Sequence, residues 1–306
     1  MRYRDNASLD TGNVEDRRGG GGGRALALKG GGLGFVGVIV VVLLQVLGGG
    51  DGSGGASADP SRSVLDQLGA GQSTSSDDLG ASCRTGADAN AHEECALVAD
   101  IESVQDYWTG VLGSRYAAVD TVFFSGSTQT GCGAASSGTG PFYCPGDQLV
   151  YVDLSFFDEL RSRFGAEGGG FVNAYVLAHE YGHHVQDLLG TSAAVQPADI
   201  GPESGSVRLE LQADCYAGTW ANHATTIPDD SGAPLISEVT DDDVSRALDT
   251  AARIGDDFIQ TNLGDGSTDP GSYTHGTSQQ RQRWFTTGYR SGDPSQCDTF
   301  AAADLG

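Results

Sequence analysis

The chain has 306 residues, of which 38% are hydrophobic and 19% charged, a composition that allows one or two packed domains. Acidic residues number 41 against 17 basic ones, so the formal net charge is −24, and the acidic excess lies beyond residue 50. A domain this acidic repels a phosphate backbone, so nucleic acid is excluded as a partner.

An uncharged apolar run covers residues 33–47, and flanking glycines extend the uncharged stretch to residue 50. Because a helix needs about 20 such residues to cross a bilayer, we predict one transmembrane helix over residues 33–50. A buried core element is the alternative. The basic residues of this region all precede the run, which predicts a single-pass cell-membrane protein with a cytoplasmic N-terminus and an exported domain.

A cleaved signal peptide is the competing interpretation of this run. Its basic region is normally short, whereas residues 1–32 all precede the run here, and no A-x-A site follows it. We therefore expect an uncleaved anchor. Composition then divides the chain into a disordered cytoplasmic tail (1–32), the anchor (33–50), a flexible Gly/Ser-rich linker (51–82) and a folded domain (83–306).

Hydrophobic periodicity within the folded domain predicts an α+β fold, mainly helical with a small sheet. Apolar spacing and capping residues predict helices over residues 92–112, 155–164, 171–189, 206–223 and 241–260. Two β-branched and aromatic runs predict strands over residues 121–124 and 149–154.

Six cysteines all lie beyond the predicted anchor, which favours disulfides in an oxidising compartment. Four of them fall into two pairs with the same spacing, so local bridges Cys83–Cys95 and Cys132–Cys144 are expected. Cys215 and Cys297 would then form a long-range bridge. Six cysteines allow fifteen pairings, so this connectivity is a hypothesis. The sequence contains no C-x-x-C pair, which argues against a zinc site made of cysteines.

The predicted helix over residues 171–189 contains His179-Glu180-Tyr-Gly-His183. Side chains at i and i+4 project from one helix face, so both imidazoles can reach a single Zn²⁺ ion. Glu180 follows the first histidine and can take a proton from the attacking water, as in the H-E-x-x-H motif of zinc peptidases. The alternative is a helix with solvated histidines, but its apolar neighbours indicate burial, where polar groups need a role.

A catalytic zinc site needs a third protein ligand and an open position. The predicted helix over residues 206–223 offers Glu210 and, one turn on, Asp214. We predict that Glu210 is the third ligand and that Asp214 fixes the tautomer of a ligating histidine. The alternative is a solvated helix face. The competing ligands are Glu203, His184 and His223.

The sequence resembles a known family. His-Glu-x-x-His followed by Glu-x-x-x-Asp is similar to the gluzincin arrangement of thermolysin-like enzymes. Longer strings resemble the bacterial neutral zinc metallopeptidase family of membrane-anchored proteins. They are Asn13-Val-Glu-Asp-Arg-Arg-Gly19, Gly140-Pro-Phe-Tyr-Cys-Pro145, Ala178-His-Glu-Tyr-Gly-His-His-Val-Gln186, Glu210-Leu-Gln-Ala-Asp-Cys-Tyr-Ala-Gly218 and Thr274-His-Gly-Thr-Ser278. The resemblance implies a zincin-like fold and peptide-bond hydrolysis, with residues 83–306 as the metallopeptidase domain, but no substrate.

Two further features fit a peptidase. The strand over residues 149–154 is a candidate for the edge strand that aligns a substrate backbone, with an ordinary core strand as the alternative. His275 is a candidate for stabilising the oxyanion of the tetrahedral intermediate, with a surface-loop histidine as the alternative. If His275 is structural, Arg281 or Tyr273 becomes the next candidate.

The sequence therefore predicts a zinc-dependent peptidase that acts on peptide or protein substrates outside the cytoplasmic membrane. Two rival functions remain open. One is a noncatalytic, zinc-stabilised binding module of the cell envelope, which requires a fourth protein ligand. The other is a zinc hydrolase that acts on peptidoglycan.

Overall fold

The structure is a computed structural model that describes residues 1–18, 76–196, 198–229 and 231–306. Within these residues the helices are α1 (Ser76–Ser82), α2 (Gly86–Ala91), α3 (Glu93–Leu112), α4 (Ser155–Ser162), α5 (Gly170–Leu189), α6 (Gly205–His223), α7 (Asp241–Arg253), α8 (Asp256–Asn262) and α9 (Ser278–Ser291). The strands are β1 (Arg2–Tyr3), β2 (Val14–Asp16), β3 (Thr121–Phe124), β4 (Ser127–Thr130), β5 (Gly133–Ser136), β6 (Phe142–Cys144), β7 (Leu149–Asp153) and β8 (Ile236–Glu238). The predicted α+β class is confirmed.

The main sheet has the strand order β2-β3-β7-β6. Strands β2, β3 and β7 are parallel, and β6 runs antiparallel to β7. The edge-strand candidate at residues 149–154 is therefore wrong and the alternative, an ordinary core strand, is confirmed, because β7 lies inside the sheet with a partner on each side. Its near-continuous apolar sequence is typical of such a buried strand. The edge strand on this side is β6.

The first 18 residues belong to the same folded unit as the helices. Strand β1 pairs with β8, and β2 pairs in parallel with β3. The α-amino group of Met1 lies 2.6 Å from a carboxylate oxygen of Asp243 at the start of α7. The prediction of a disordered tail is thus wrong for residues 1–18, whose sequence lacks the apolar alternation that signals a strand.

This pairing also affects the predicted topology. Strands that share hydrogen bonds lie on the same side of a membrane, so this structure contradicts a cytoplasmic N-terminus combined with an exported domain. No helix within the described residues is long and apolar enough to span a membrane. The predicted anchor at 33–50 and most of the predicted linker lie outside those residues, and the last seven linker positions form α1.

A layer of helices packs on the sheet and on itself. Helix α5 contacts α3 and α6, and α6 contacts α9 over much of its length. Glycines allow the α6–α9 approach, since a Cβ at Gly288 would lie 1.9 Å from the carbonyl oxygen of Cys215, and one at Gly218 would lie 2.2 Å from that of Phe285. Any side chain at these positions would force the two helices apart.

The single helix predicted over residues 241–260 is two helices, α7 and α8, separated at Ile254 and Gly255. Gly255 allows the start of α9 to pack against this break, because a Cβ there would lie 2.4 Å from the backbone nitrogen of Ser278. The apolar periodicity continues through the break, so the pattern alone does not reveal it. As a result Asp256 begins a new helix.

All six cysteines are paired, as Cys83–Cys95, Cys132–Cys144 and Cys215–Cys297. The predicted connectivity is confirmed. Three disulfides in one chain are typical of oxidising, extracytoplasmic compartments.

Candidate metal centre

Helix α5 carries His179 and His183 one turn apart in the interior of the protein. Most of its residues are buried, and Gly190 ends it in the left-handed conformation. The helix is fixed against the sheet by a 2.9 Å hydrogen bond between the hydroxyls of Tyr181 and Thr121. The two imidazoles therefore project from a well-anchored helix toward α6.

Helix α6 brings Glu210 to the two histidines. The Nε2 atoms of His179 and His183 lie 3.2 Å apart. A carboxylate oxygen of Glu210 lies 3.1 Å from Nε2 of His179, and the other lies 3.4 Å from Nε2 of His183. Ligands at about 2.0–2.1 Å in a tetrahedron around zinc are separated by about 3.3 Å. The three side chains thus have the spacing that one zinc ion needs.

His179 is oriented by a buried carboxylate. Its Nδ1 lies 2.9 Å from Asp214, which leaves Nε2 for a metal. Asp214 also accepts a 2.6 Å hydrogen bond from the hydroxyl of Tyr175 and forms a two-point ion pair with Arg281 on α9. Arg281 is 1% exposed and Asp214 is fully buried. The four side chains form one polar network inside the helical layer.

The charges at the site favour a cation. Burial disfavours a protonated His179, but the carboxylates of Asp214 and Glu210 outweigh it and raise the pKa of this imidazole to about 10 before any metal binds. Burial likewise disfavours ionised Asp214, yet Arg281 and His179 lower the pKa of its carboxyl to about 2. Because the local field holds a proton this strongly, it also favours a metal cation at the same place.

Glu180 lies beside the three candidate ligands with its carboxylate oxygens in different environments. One oxygen accepts a 3.0 Å hydrogen bond from the backbone N–H of Tyr143 on β6. The other is buried and has no hydrogen-bond partner among the described residues. Burial raises the pKa of Glu180 to about 7, against the lowering effect of His179. One oxygen is thus anchored while the other is free to exchange a proton.

The outer edge of β6 lacks free backbone N–H groups. Val150 of β7 donates its N–H to the carbonyl oxygen of Asp120, directly before β3, so its partner Tyr143 directs its own N–H and C=O away from β7. That N–H is bonded to Glu180. The residues that directly flank β6 are Pro141 and Pro145, which have no N–H. On the side of β6 that faces away from β7, residues 141–145, all described, therefore offer no free N–H.

His275 lies in the segment between α8 and α9. Its Nδ1 is 3.1 Å from Asp256, the first residue of α8, and its Nε2 is buried without a hydrogen-bond partner among the described residues. Asp256 also accepts the backbone N–H groups of Thr274, His275 and Gly276. Burial disfavours the imidazolium, but the carboxylates of Asp256 and Glu210 outweigh burial and raise the pKa of His275 above that of a free histidine.

The competing ligands lie elsewhere. Glu203 is exposed and falls outside the metal-ligand group. Nε2 of His184 lies 2.7 Å from the carbonyl oxygen of Ala117, and Nε2 of His223 lies 2.9 Å from that of Gly292. Tyr273 is one of the two residues considered as oxyanion donors if His275 is structural. Its backbone carbonyl accepts a hydrogen bond from the N–H of Gly201.

Within the described residues, the group of side chains able to hold a metal consists of His179, His183 and Glu210. Sequence reasoning missed Asp256 and the backbone N–H of Tyr143. Both contacts join residues from separate elements, and no local pattern marks them.

An H-E-x-x-H helix followed by a helix that supplies a glutamate is the ligand arrangement found in zinc peptidases. Comparison with known proteins agrees. The family described as "Putative neutral zinc metallopeptidase" matches residues 1–300, and the chain belongs to this family. The family implies Zn²⁺ as the cofactor, and the three side chains fit that ion.

Relatives at high identity occur in mycobacteria and in Escherichia coli. An uncharacterized protein of Mycobacterium tuberculosis (strain H37Rv) is 51% identical over 225 residues, which cover 73% of this chain and 76% of the relative. A protein of Mycobacterium bovis has the same identity and coverage. The uncharacterized protein YpfJ of E. coli K12 is 44% identical over 194 residues, which cover 62% of this chain and 64% of the relative. No solved structure matches the chain.

Proposed function

We propose that this protein is a zinc-dependent peptidase that hydrolyses peptide bonds in an extracytoplasmic compartment. The observation that carries the proposal is the environment of Glu180. Its carboxylate is anchored by the Tyr143 N–H at one oxygen, and its other oxygen is buried and unpaired among the described residues beside three candidate metal ligands. A purely structural metal site has no need of such a group.

In this proposal His179, His183 and Glu210 hold the zinc. When bound, zinc acts as a Lewis acid that polarises the scissile carbonyl and lowers the pKa of water. Glu180 takes a proton from the attacking water at its free oxygen and then delivers it to the leaving amine. The Tyr143 N–H keeps the carboxylate in one orientation through both transfers.

His275 has the features of an oxyanion donor. Asp256 fixes the ring through Nδ1, and Nε2 has no hydrogen-bond partner among the described residues. The Glu210 carboxylate and the His275 imidazole shift each other's pKa, so the ring is near the candidate ligands. A donor held in advance stabilises the negative oxygen that develops in the tetrahedral intermediate. We therefore assign His275 this role.

Substrate alignment is assigned to β6 in place of β7. Its outer edge has no free N–H along residues 141–145, so an extended peptide beside it would donate N–H groups to the carbonyls of β6 and receive none in return. We expect N-methylation of a substrate near the scissile bond to reduce turnover more than replacement of its carbonyl acceptors. A zincin-like fold accords with this arrangement and is part of the proposal.

Membrane attachment through residues 33–50 is a separate proposal that rests on their apolar sequence. It does not extend to a single crossing of the bilayer, because that would separate β2 from β3. The extracytoplasmic location rests on the disulfides and does not depend on the anchor.

The proposal is tested with the full chain in detergent. Zinc-loaded protein is incubated with a library of extended peptides and, separately, with peptidoglycan fragments. We expect peptide cleavage that a chelator abolishes and added zinc restores. Cleavage of peptidoglycan fragments alone would identify the rival hydrolase. Zinc binding without cleavage of either substrate would support the noncatalytic module and contradict the proposal.

A further inference from the structure

The two histidines of the metal centre are oriented by different kinds of group. His179 faces a carboxylate, Asp214, whereas Nδ1 of His183 lies 2.9 Å from the side-chain oxygen of Gln186. Gln186 is fully buried and is one turn beyond His183 on α5. Because an amide has a donor end and an acceptor end, its effect on His183 depends on the orientation of the Gln186 side chain.

The amide nitrogen of Gln186 has two acceptors. It donates to the carbonyl oxygen of Leu209 at 2.7 Å and to the side-chain oxygen of Gln212 at 3.1 Å. Leu209 directly precedes Glu210, so this bond links the helix of the histidines to the backbone beside the third candidate ligand. Gln212, which is 6% exposed, donates in turn to the carbonyl oxygen of Cys297 at 3.0 Å.

The direction of these hydrogen bonds is fixed at both ends. The carbonyl groups of Leu209 and Cys297 can only accept, so each glutamine must turn its nitrogen toward them. Gln186 then presents its oxygen to His183, and Nδ1 of His183 must carry the proton. A flipped Gln186 would set its oxygen against two acceptors and move the imidazole proton to Nε2, the atom that faces the metal position.

We propose that Gln186 and Gln212 form an amide relay that holds His183 in its metal-binding tautomer and anchors it to Cys297, so that the Cys215–Cys297 disulfide and the metal stabilise each other. Cys297 is held by its disulfide to Cys215 on α6, next to Asp214. Hydrogen bonds in a chain of one direction strengthen one another in a buried setting. Gln186 and Gln212 are positioning residues that act on the metal through His183.

The inference rests on the proposed metal centre but is measured without catalysis. The zinc dissociation constant is determined by competition with a chromophoric chelator for the full chain and its variants. Gln186→Leu should weaken zinc binding by roughly 10–100-fold, the usual effect of losing an orienting partner of a metal ligand. Gln212→Leu should cause a smaller loss, because Gln186 keeps its bond to Leu209.

The matched control is Gln105→Leu. Gln105 is a buried amide of similar exposure, 5%, but it lies on α3 and holds Tyr116 and Val119. It should lower thermal stability and leave the zinc dissociation constant unchanged. Cobalt substitution gives a second readout, since the visible spectrum of Co²⁺ should change in Gln186→Leu and not in Gln105→Leu. A fold defect alone would not produce this pattern.

The coupling to the disulfide is tested by a double-mutant cycle. Cys215 and Cys297 are both replaced by alanine, which avoids thiol reductants that bind zinc, and removal of Cys83–Cys95 is the control. Loss of Cys215–Cys297 should weaken zinc binding in the wild-type background and have little further effect in Gln212→Leu. Fully additive losses would show that the disulfide acts through α6 and would overturn the coupling.

The outcomes separate this inference from the proposed function. Wild-type protein that binds no zinc would contradict the metal centre itself. Wild-type protein that binds zinc as tightly as Gln186→Leu would contradict the relay and leave the metal centre intact.

Discussion

His275 and Asp256 form a buried pair across two segments, with Nδ1 of the imidazole 3.1 Å from a carboxylate oxygen and Nε2 left without a hydrogen-bond partner among the described residues. The pair depends on the break between α7 and α8, which makes Asp256 the first residue of a helix. We expect His275→Ala to retain zinc and fold but to lower kcat by roughly 10²-fold, the effect of losing one oxyanion donor.

The matched control for His275 is His223→Ala, which removes a histidine that bonds Gly292 far from the proposed chemistry. It should keep both zinc and kcat. Steady-state kinetics on zinc-loaded protein distinguish the two variants. A normal kcat in His275→Ala would make His275 a structural residue.

Asp214 and Arg281 form a buried ion pair. Removing one or both partners should have different effects on the stability of the fold and on zinc binding. Asp214→Ala leaves a buried guanidinium without its partner, a change that typically costs about 3–5 kcal/mol. It should also weaken zinc binding by roughly 10–100-fold, because His179 loses its orienting carboxylate. The double variant Asp214→Ala/Arg281→Met should recover stability in urea unfolding without recovering zinc affinity. Recovery of both would mean that Asp214 acts on zinc only through the fold.

Glu102 should make the protein less stable as the pH rises from 4.5 to about 7. Burial, with the nearby carboxylates of Asp106 and Asp10, raises its pKa from 4.5 to about 7 in the folded state. Between these pH values the unfolded chain loses the proton first, so the free energy of unfolding falls as the pH rises. Glu102→Gln lacks this carboxyl and should melt above the wild type at pH 8 but not at pH 4. A constant difference at both pH values would rule out this origin.

The N-terminal segment gives a direct test of topology. Asp10 is exposed, as is Gln279 on α9, and the native cysteines are all in disulfides. Asp10→Cys and Gln279→Cys should react alike with a membrane-impermeant maleimide in intact spheroplasts, because β2 pairs with β3. Labelling of Gln279→Cys alone would support a cytoplasmic N-terminus and show that the pairing does not form in the cell.

The sequence predicted those parts of the site that depend on local spacing. The i, i+4 geometry of a helix brings His179 and His183 together, and the same geometry pairs Glu210 with Asp214. The equal spacing of Cys83–Cys95 and Cys132–Cys144 led to the disulfide pattern. Each of these signals lies within one helix or between two cysteines that are close in sequence.

The parts that were missed depend on tertiary contacts. The edge position of β6 is set by strand order, which a run of apolar residues does not encode. The bond from Tyr143 to Glu180 joins residues 37 apart in sequence. The N-terminal strands were missed because β1 and β2 have only two and three residues. Such short segments are stabilised by their partners rather than by their own pattern.

The central claim is that Glu180 is the proton-transfer group of a zinc peptidase. The most direct test measures zinc content and peptide turnover on the same preparations of wild type and Glu180→Gln. Glutamine keeps the size of the side chain and an oxygen that can accept the Tyr143 N–H. We expect one zinc per chain in both proteins and a loss of turnover of roughly 10²-fold or more in the variant. Equal turnover at equal zinc content would contradict the account.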